Sequence, residues 1–268
     1  MRFMDLTQPE YAYMFGFLQA DGHLAAGPGR KGRLSLEVSS VDRELLLKFQ
    51  KLCPYPSSVS DRTRSTNFKA NHTSSTWTMC SLEGRTTICA LGLPYGKKST
   101  LIRPPTVEFS TRDYIRGLVD ADGGVGFTAK SYPFISLTTS SDAIAQHFCE
   151  FGKTVGGTAR NPGKNARDNV FNILYTSDPA VAIVRDIYYE GALALERKAT
   201  KALAVKAWER PPTMRARATP TRWTPEDDAA LLANTNAQAA ELLGRTEKSC
   251  TIRRWRLIGP AKSHASGA

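Results

Sequence analysis

An internal duplication limits what this chain can fold into more than any other feature. The segment Ala12-Tyr-Met-Phe-Gly-Phe-Leu-Gln-Ala-Asp-Gly22 returns as Asp113-Tyr-Ile-Arg-Gly-Leu-Val-Asp-Ala-Asp-Gly123, with identities at Tyr13/Tyr114, Gly16/Gly117, Ala20/Ala121, Asp21/Asp122 and Gly22/Gly123. The offset is 101 residues. Leu36 to Asp42 has a looser counterpart in Ile135 to Asp142, each followed by an amphipathic stretch (43–52 and 143–155). Gly96-Lys-Lys98-Ser is echoed by Glu196-Arg-Lys198-Ala. A period of about 100 residues is the size of a domain rather than of a solenoid turn, so positions 1–209 hold two copies of one unit.

Within each copy the pattern predicts helix, two strands, helix, two strands, helix. The strands rest on alternation such as Leu34, Leu36 and Val38 and on turn clusters at Gly27-Pro-Gly29 and Asn161-Pro-Gly163. Pro104-Pro105 is a stiff connector, and Pro211-Pro212, followed by Arg215, Arg217 and Arg222, reads as a basic linker. The expected organisation is a first unit at 1–103, a second at 104–209, a linker at 210–221, a helical module at 222–258 and a disordered tail at 259–268.

Each copy opens on a helix. Thr7-Gln-Pro9-Glu10 has the form of a capping box with proline in the first turn, and Ser110-Thr-Arg-Asp113 is a weaker version. Gly22 and Gly123 stand where a left-handed residue would end each helix. Gly16 and Ala20, like Gly117 and Ala121, lie four apart on one face, so two such helices can meet backbone to backbone. That crossing sets Asp21 beside Asp122 at two helix C-termini, where the dipole disfavours a carboxylate by ~0.3–1 kcal/mol. Two adjacent like charges also raise one pKa unless a cation lies between them. A divalent metal relieves both penalties. Oxygen donors without histidine or thiolate favour Mg²⁺, with Mn²⁺ or Ca²⁺ able to substitute in binding, and such an ion suits phosphodiester hydrolysis.

Composition agrees with an anionic partner. Lys+Arg 36 against Asp+Glu 25 gives +11 and a pI near 9.6, which favours a polyanion through counterion release. A hydrophobic share of 41% supports a full core, yet no apolar run approaches the roughly 20 residues of a membrane span. Asp5 and Glu10 interrupt any signal-peptide apolar region, so a cytoplasmic protein is expected. The five cysteines form no C-x-x-C pair, which implies a reducing compartment and no zinc site. The four histidines lack metal-ligand spacing.

The two motifs, Met14-Phe-Gly-Phe-Leu-Gln-Ala-Asp-Gly22 and Ile115-Arg-Gly-Leu-Val-Asp-Ala-Asp-Gly123, resemble those of the LAGLIDADG homing endonucleases in their two-motif, monomeric form. The resemblance implies an α+β fold, a pseudo-twofold pair of αββαββα units packed through the two motif helices. It implies that Asp21 and Asp122, with the backbone of Ala20 and Ala121, hold the catalytic metal, and that Lys98 and Lys198 are the active-site bases or charge stabilisers. Lys97 and Arg197 are their adjacent rivals, and Ser40 and Ser140 occupy strand-end positions that hold water in relatives. The first motif departs from the pattern with Gln19 where the second has Asp120.

By the same resemblance each sheet lies in a DNA major groove. Arg30, Lys31, Arg33, Arg62, Arg64 and Lys69 in the first unit, and Lys130, Arg160, Lys164 and Arg167 in the second, become candidate contacts. The implied activity is site-specific double-strand cleavage across the minor groove, leaving short 3′ overhangs, on a long, imperfectly palindromic target. Such activity belongs to intron homing and mobile genetic elements.

The C-terminal piece opens with Thr224 as N-cap, Pro225 at N1 and Asp227 at N3. A second helix is expected around 237–243 and a third over 247–257, with Ile252 and Trp255 as core. Arg222-Trp-Thr-Pro-Glu-Asp-Asp228 and Ala239-Ala-Glu-Leu-Leu-Gly-Arg-Thr246 resemble Myb/SANT-like or helix-turn-helix modules. That implies a third helix in a groove, with Lys248, Arg253, Arg254 and Arg256 toward DNA. Two other functions fit the same fold, an RNA maturase assisting intron splicing and a regulator without cleavage; retention of both aspartates disfavours the regulator. An initial Met1 and no terminal His-Asn pair disfavour an intein.

Overall fold

The computed structural model describes residues 2–25, 29, 31–65, 72–212, 214 and 222–259. Arg30, Lys69, Arg215, Arg217 and the tail from 260 lie outside the described residues. The chain forms two compact units, Met1–Arg210 and Pro211–Ala268. The fold is α+β, with antiparallel sheets.

The larger unit begins with α1 (Pro9–Asp21), β1 (His23–Leu24), β2 (Leu34–Ser39), a single 3-10 turn at Ser40–Asp42, α2 (Arg43–Leu52), β3 (Ser57–Arg64), β4 (His72–Met79) and α3 (Leu82–Ala90). It continues with α4 (Thr111–Asp122), β5 (Gly123–Phe127), β6 (Pro133–Thr139), α5 (Asp142–Gly156), β7 (Phe171–Thr176), α6 (Asp178–Ile187) and α7 (Glu196–Lys206). The first sheet has the order β1-β2-β4-β3 and the second β5-β6-β7. The second half lacks the fourth strand that the repeat predicts. Residues 157–170 are polar and carry Pro162 and Gly163, and only an isolated bridge from Lys164 to Phe171 stands in its place.

Helix α1 is apolar around its whole circumference, and residues 11–19 are buried on every side. It packs on α4 with almost no side chain between them. A β-carbon on Gly16 would fall 2.3 Å from the Tyr114 carbonyl oxygen, and one on Gly117 would fall 2.2 Å from that of Tyr13. Helix α4 is equally buried although it carries Asp113, Arg116 and Asp120, because each charge has partners inside. Arg116 pairs with Asp113 at 2.5 Å and donates to the carbonyls of Ile187 and Leu193. Around this seam, Leu34, Leu36, Phe49 and Trp77 fill the first half, and Ile135, Leu137, Phe148 and Tyr175 fill the second.

Two features of the motif helices differ from expectation. Thr7 does not cap α1; its hydroxyl donates to Asp5 at 2.7 Å, and Gln8 precedes Pro9 as the cap residue without a side-chain bond. Gly22 and Gly123 are not left-handed, having φ of −67° and −112°. Glycine is required there for space: an added β-carbon would meet the Leu18 carbonyl oxygen at 2.6 Å or that of Ser136 at 2.4 Å.

The smaller unit holds α8 (Pro225–Ala233), α9 (Asn236–Leu242) and α10 (Glu247–Ile258). Thr224 and Asp227 form a full capping box on α8, as the sequence predicts, and Thr235 with Gln238 forms a second on α9. Its core is Leu231, Ala239 and Cys250. Ile252 and Trp255, expected in that core, are 44% and 60% exposed, because three helices this short cover only one stripe of α10.

Candidate active site

The seam brings Asp21 and Asp122, the last residues of α1 and α4, to the same end of the helix pair. Both side chains reach solvent, yet the protein behind them displaces enough water to push both carboxyls above the ordinary carboxylate range. Asp122 is pushed up to about 6, first by desolvation and then by the negative charge of Asp21, against the pull of Lys98 and Lys198. The two acids and two lysines therefore share one electrostatic site.

Each lysine sits under the C-terminal turn of a motif helix. The Lys98 ammonium donates to the carbonyl of Gln19 at 2.5 Å and to that of Ala20. Lys198 is buried and donates to the carbonyls of Val119 at 2.8 Å, Asp120 at 2.6 Å and Gly123 at 2.9 Å. Gln19, Ala20 and Asp120 offer last-turn carbonyls, Val119 also accepts from the Gly123 N–H, and a cation there offsets the dipole that the aspartates aggravate. Burial lowers both lysines, Lys198 to about 8. The rival residues point elsewhere: Lys97 is exposed, and Arg197 pairs with Asp42 at 3.1 Å.

Beside the acids lies a cleft of about 190 Å³ lined by Ala20, Lys98, Ser99, Asp122, Thr138 and Ser140, a space for water and ions rather than for an organic ligand. Ser140 thus reaches the site, whereas Ser40 begins the 3-10 turn and does not line this cleft. Among the described residues no cluster of three or more His, Cys, Asp or Glu could hold a metal. A divalent ion here would rely on Asp21, Asp122, carbonyl oxygens and water. That donor set fits Mg²⁺, which keeps several waters and takes one or two carboxylates.

Sequence reasoning missed the groups that hold the sixth motif position. The Asp120 carboxylate accepts from Tyr13 at 2.7 Å, Tyr188 at 2.6 Å and the Leu195 N–H at 2.8 Å. Gln19 accepts from the Tyr114 hydroxyl at 2.5 Å and donates to the carbonyls of Gly92 at 2.9 Å and Arg103 at 3.0 Å. The first half presents carbonyls and the second presents donors, which accounts for an amide in one copy and a carboxylate in the other. The identity Tyr13/Tyr114 carried the signal for this exchange; Tyr188 carried none.

Among solved structures, the homing endonuclease I-WcaI bound to its DNA recognition sequence aligns over 74% of this chain and 87% of its own, at 9% identity and a TM-score of 0.52. This is the LAGLIDADG fold. Meganuclease I-SmaMI bound to uncleaveable DNA aligns over 74% of this chain and 87% of its own, at 13% identity and a TM-score of 0.47. Full-length DUF199/WhiA from Thermatoga maritima aligns over 93% and 90%, at 12% identity and a TM-score of 0.45. No family model matches the chain, and none of the curated proteins does.

The basic candidates divide unevenly over this fold. In the first sheet, directly opposed residues share a face, so Ser35, Ser58, Ser60, Arg62, Arg64, Thr76 and Thr78 line the side away from α2. Arg62 is exposed there, Arg64 pairs with Glu37 at 3.2 Å, and Lys31 and Arg33 are exposed just before β2. Strands β5, β6 and β7 contain no lysine or arginine. The second-half candidates all lie off the strands: Lys130 in the β5–β6 turn, Arg160 over the Tyr175 ring, Lys164 paired with Asp142 and Arg167 with Asp168.

In the smaller unit Arg253 and Arg254 are both paired within the unit. Arg253 pairs with Asp228 at 2.5 Å, and Arg254 donates to Asn236 at 2.8 Å and to the carbonyls of Leu231 and Asn234. Of the four cations expected on this helix, Lys248 and Arg256 are the exposed ones. Among the described residues no helix is long and apolar enough to cross a membrane.

Proposed function

We propose that this chain is a divalent-metal-dependent, site-specific endonuclease of the homing type acting on double-stranded DNA. The observation that carries the reading is the meeting of Asp21 and Asp122 at two helix ends with Lys98 and Lys198 beneath them. A fold that only needed stability would place a helix-compatible cation at these ends, not a pair of acids. The net charge of +11, the exposed arginines of the first sheet and the DNA-bound state of I-WcaI support a duplex DNA partner.

Asp21 and Asp122, with the Ala20 and Ala121 carbonyls, would hold the cation, which when bound supplies Lewis acidity to water and leaving oxygen. The chain's own groups then have separable tasks. The carboxylates fix the negative charge that recruits the ion. Lys198 donates all three of its N–H bonds to carbonyls and Lys98 two of its three, and both lysines would supply positive charge beside the phosphate. Ser140 and Thr138 line the cleft in which a hydrolytic water would be oriented. The proposed product is a staggered cut across the minor groove with short 3′ overhangs, made by one chain on a long, imperfectly palindromic target.

The test is incubation with a randomised duplex library, with and without Mg²⁺, followed by sequencing of the cut ends. Specific ends that require metal, and that vanish in Asp21→Asn and Asp122→Asn, are expected. Specific retention of duplexes without cutting would make the chain a DNA-binding regulator instead.

A further inference from the structure

Lys98 and Lys198 reach the motif helices from segments that lie outside them. Lys98 lies in the turn between Gly92 and Arg103, and Lys198 in the first turn of α7, whose cap residue Leu195 makes no side-chain capping bond. Beside the apolar packing of Leu93, Ile102 and Leu195, each segment is hydrogen-bonded to one buried polar side chain of its motif helix. Gln19 donates to both ends of the first segment, Gly92 and Arg103, and so brackets Lys98. Asp120 accepts the Leu195 N–H, while the Leu195 carbonyl accepts from the N–H of Lys198 at 2.9 Å, so one residue separates the strap from the lysine it orients.

We propose that Gln19 and Asp120 are positioning residues that fasten each active-site lysine segment to its own motif helix, each strap being braced by a tyrosine from the opposite helix. Both side chains are fully buried, and neither reaches the cleft where chemistry would occur. The braces are Tyr114 on Gln19 and Tyr13 on Asp120, so the seam and the two lysines form one hydrogen-bonded frame. The inference rests on the nuclease reading only for the purpose the lysines serve; the strapping itself can be measured without DNA or metal.

The experiment is trace acetylation of the full chain with acetic anhydride across pH 7 to 11, read residue by residue by mass spectrometry, with exposed Lys97 as the internal standard. Every rate is expressed per neutral amine from its pH dependence, because burial lowers Lys198 to about 8 and loss of the Asp120 charge lowers it further. In the wild type Lys98 and Lys198 should label at least tenfold more slowly than Lys97. Asp120→Leu should raise Lys198 labelling tenfold or more while Lys98 stays protected, and Gln19→Leu should do the converse. Asp120→Asn should keep Lys198 protected, because one amide oxygen still accepts from Leu195 and the tyrosine hydroxyls can turn to accept. The proposal is overturned if Lys198 stays protected in Asp120→Leu. It is equally overturned if both leucine variants release both lysines together, since the two side chains would then be common core and not straps. Absence of cleavage by wild-type protein with intact selective protection would remove the nuclease reading and leave the straps standing.

Discussion

Arg197 Nε lies 3.1 Å from both carboxylate oxygens of Asp42, joining the first turn of α7 to the 3-10 turn before α2. The acid is nearly buried, at 7% exposure, while the arginine is half in solvent. Removing the arginine strands a buried charge, whereas shortening the reach keeps it compensated. Arg197→Ala should destabilise the larger unit by about 1–3 kcal/mol, and Arg197→Lys by less than half of that. Urea denaturation of the two variants checks the ordering; equal losses would remove the ion pair as the cause.

The helix seam allows almost no added volume. A methyl on Gly16 or Gly117 meets backbone oxygen at 2.3 or 2.2 Å, and backbone cannot rotate away as a side chain can. Either glycine to alanine substitution should cost ~3 kcal/mol or more and lower the thermal midpoint by many degrees. A loss below ~1 kcal/mol in chemical denaturation would contradict the close approach.

The raised carboxyl sets a pH dependence. Asp122 titrates near 6 when folded and near 3.8 when unfolded, so between those values the folded chain binds more protons. Its contribution to metal-free stability is full below the unfolded value and is lost as pH rises through about 6. Divalent ions need the ionised form, so stabilisation by Mg²⁺ should emerge as pH rises through that window. Melting curves from pH 4 to 7.5 with and without Mg²⁺ check both slopes, and Asp122→Asn should reduce them to what the raised Asp21 carboxyl contributes.

For the smaller unit, Arg254 should behave as scaffold. Its bonds to Asn236, Leu231 and Asn234 tie α10 to the α8–α9 connection over a core in which, among the described residues, Leu231, Ala239 and Cys250 are fully buried. Arg254→Ala should lose α8, α9 and α10 together in hydrogen exchange. Lys248→Ala and Arg256→Ala should leave protection unchanged and, if this unit binds DNA, lower affinity with a shallower salt slope.

The sixth motif position offers a swap. A carboxylate at Gln19 would face two carbonyls that now accept from its amide, so Gln19→Glu should destabilise by ~1–3 kcal/mol. Asp120→Asn should cost clearly less, and calorimetry of the pair decides.

The duplication made the motif helices, their seam and the meeting of Asp21 with Asp122 legible in the sequence. Small residues and acids kept at one spacing in two copies point to two helices that touch and to acids that meet at their ends. The same reliance on repetition misleads elsewhere. Analogy with β3 places a fourth strand in residues 157–170, although Pro162 and a polar run argue for irregular chain. Gly22 and Gly123 have two physical reasons to be glycine, a left-handed φ or lack of room, and sequence alone does not separate them. Trp255 and Ile252 count as core in any tally of apolar residues. Their exposure follows from how little surface three short helices can cover. The partners of Gln19 and Asp120 come from residues 68 to 107 positions away, beyond any local pattern.

A joint closed by main chain on main chain has no slack. Side chains between two helices can be exchanged to open or narrow a gap by fractions of an ångström, but at Gly16 and Gly117 there is no room for even a β-carbon against the facing carbonyl oxygen. The spacing between Asp21 and Asp122 is therefore a caliper set by the dimensions of the peptide unit itself. Mutation can recolour the jaws and rebuild the surfaces outside them, but it cannot reset the gauge while the two glycines remain.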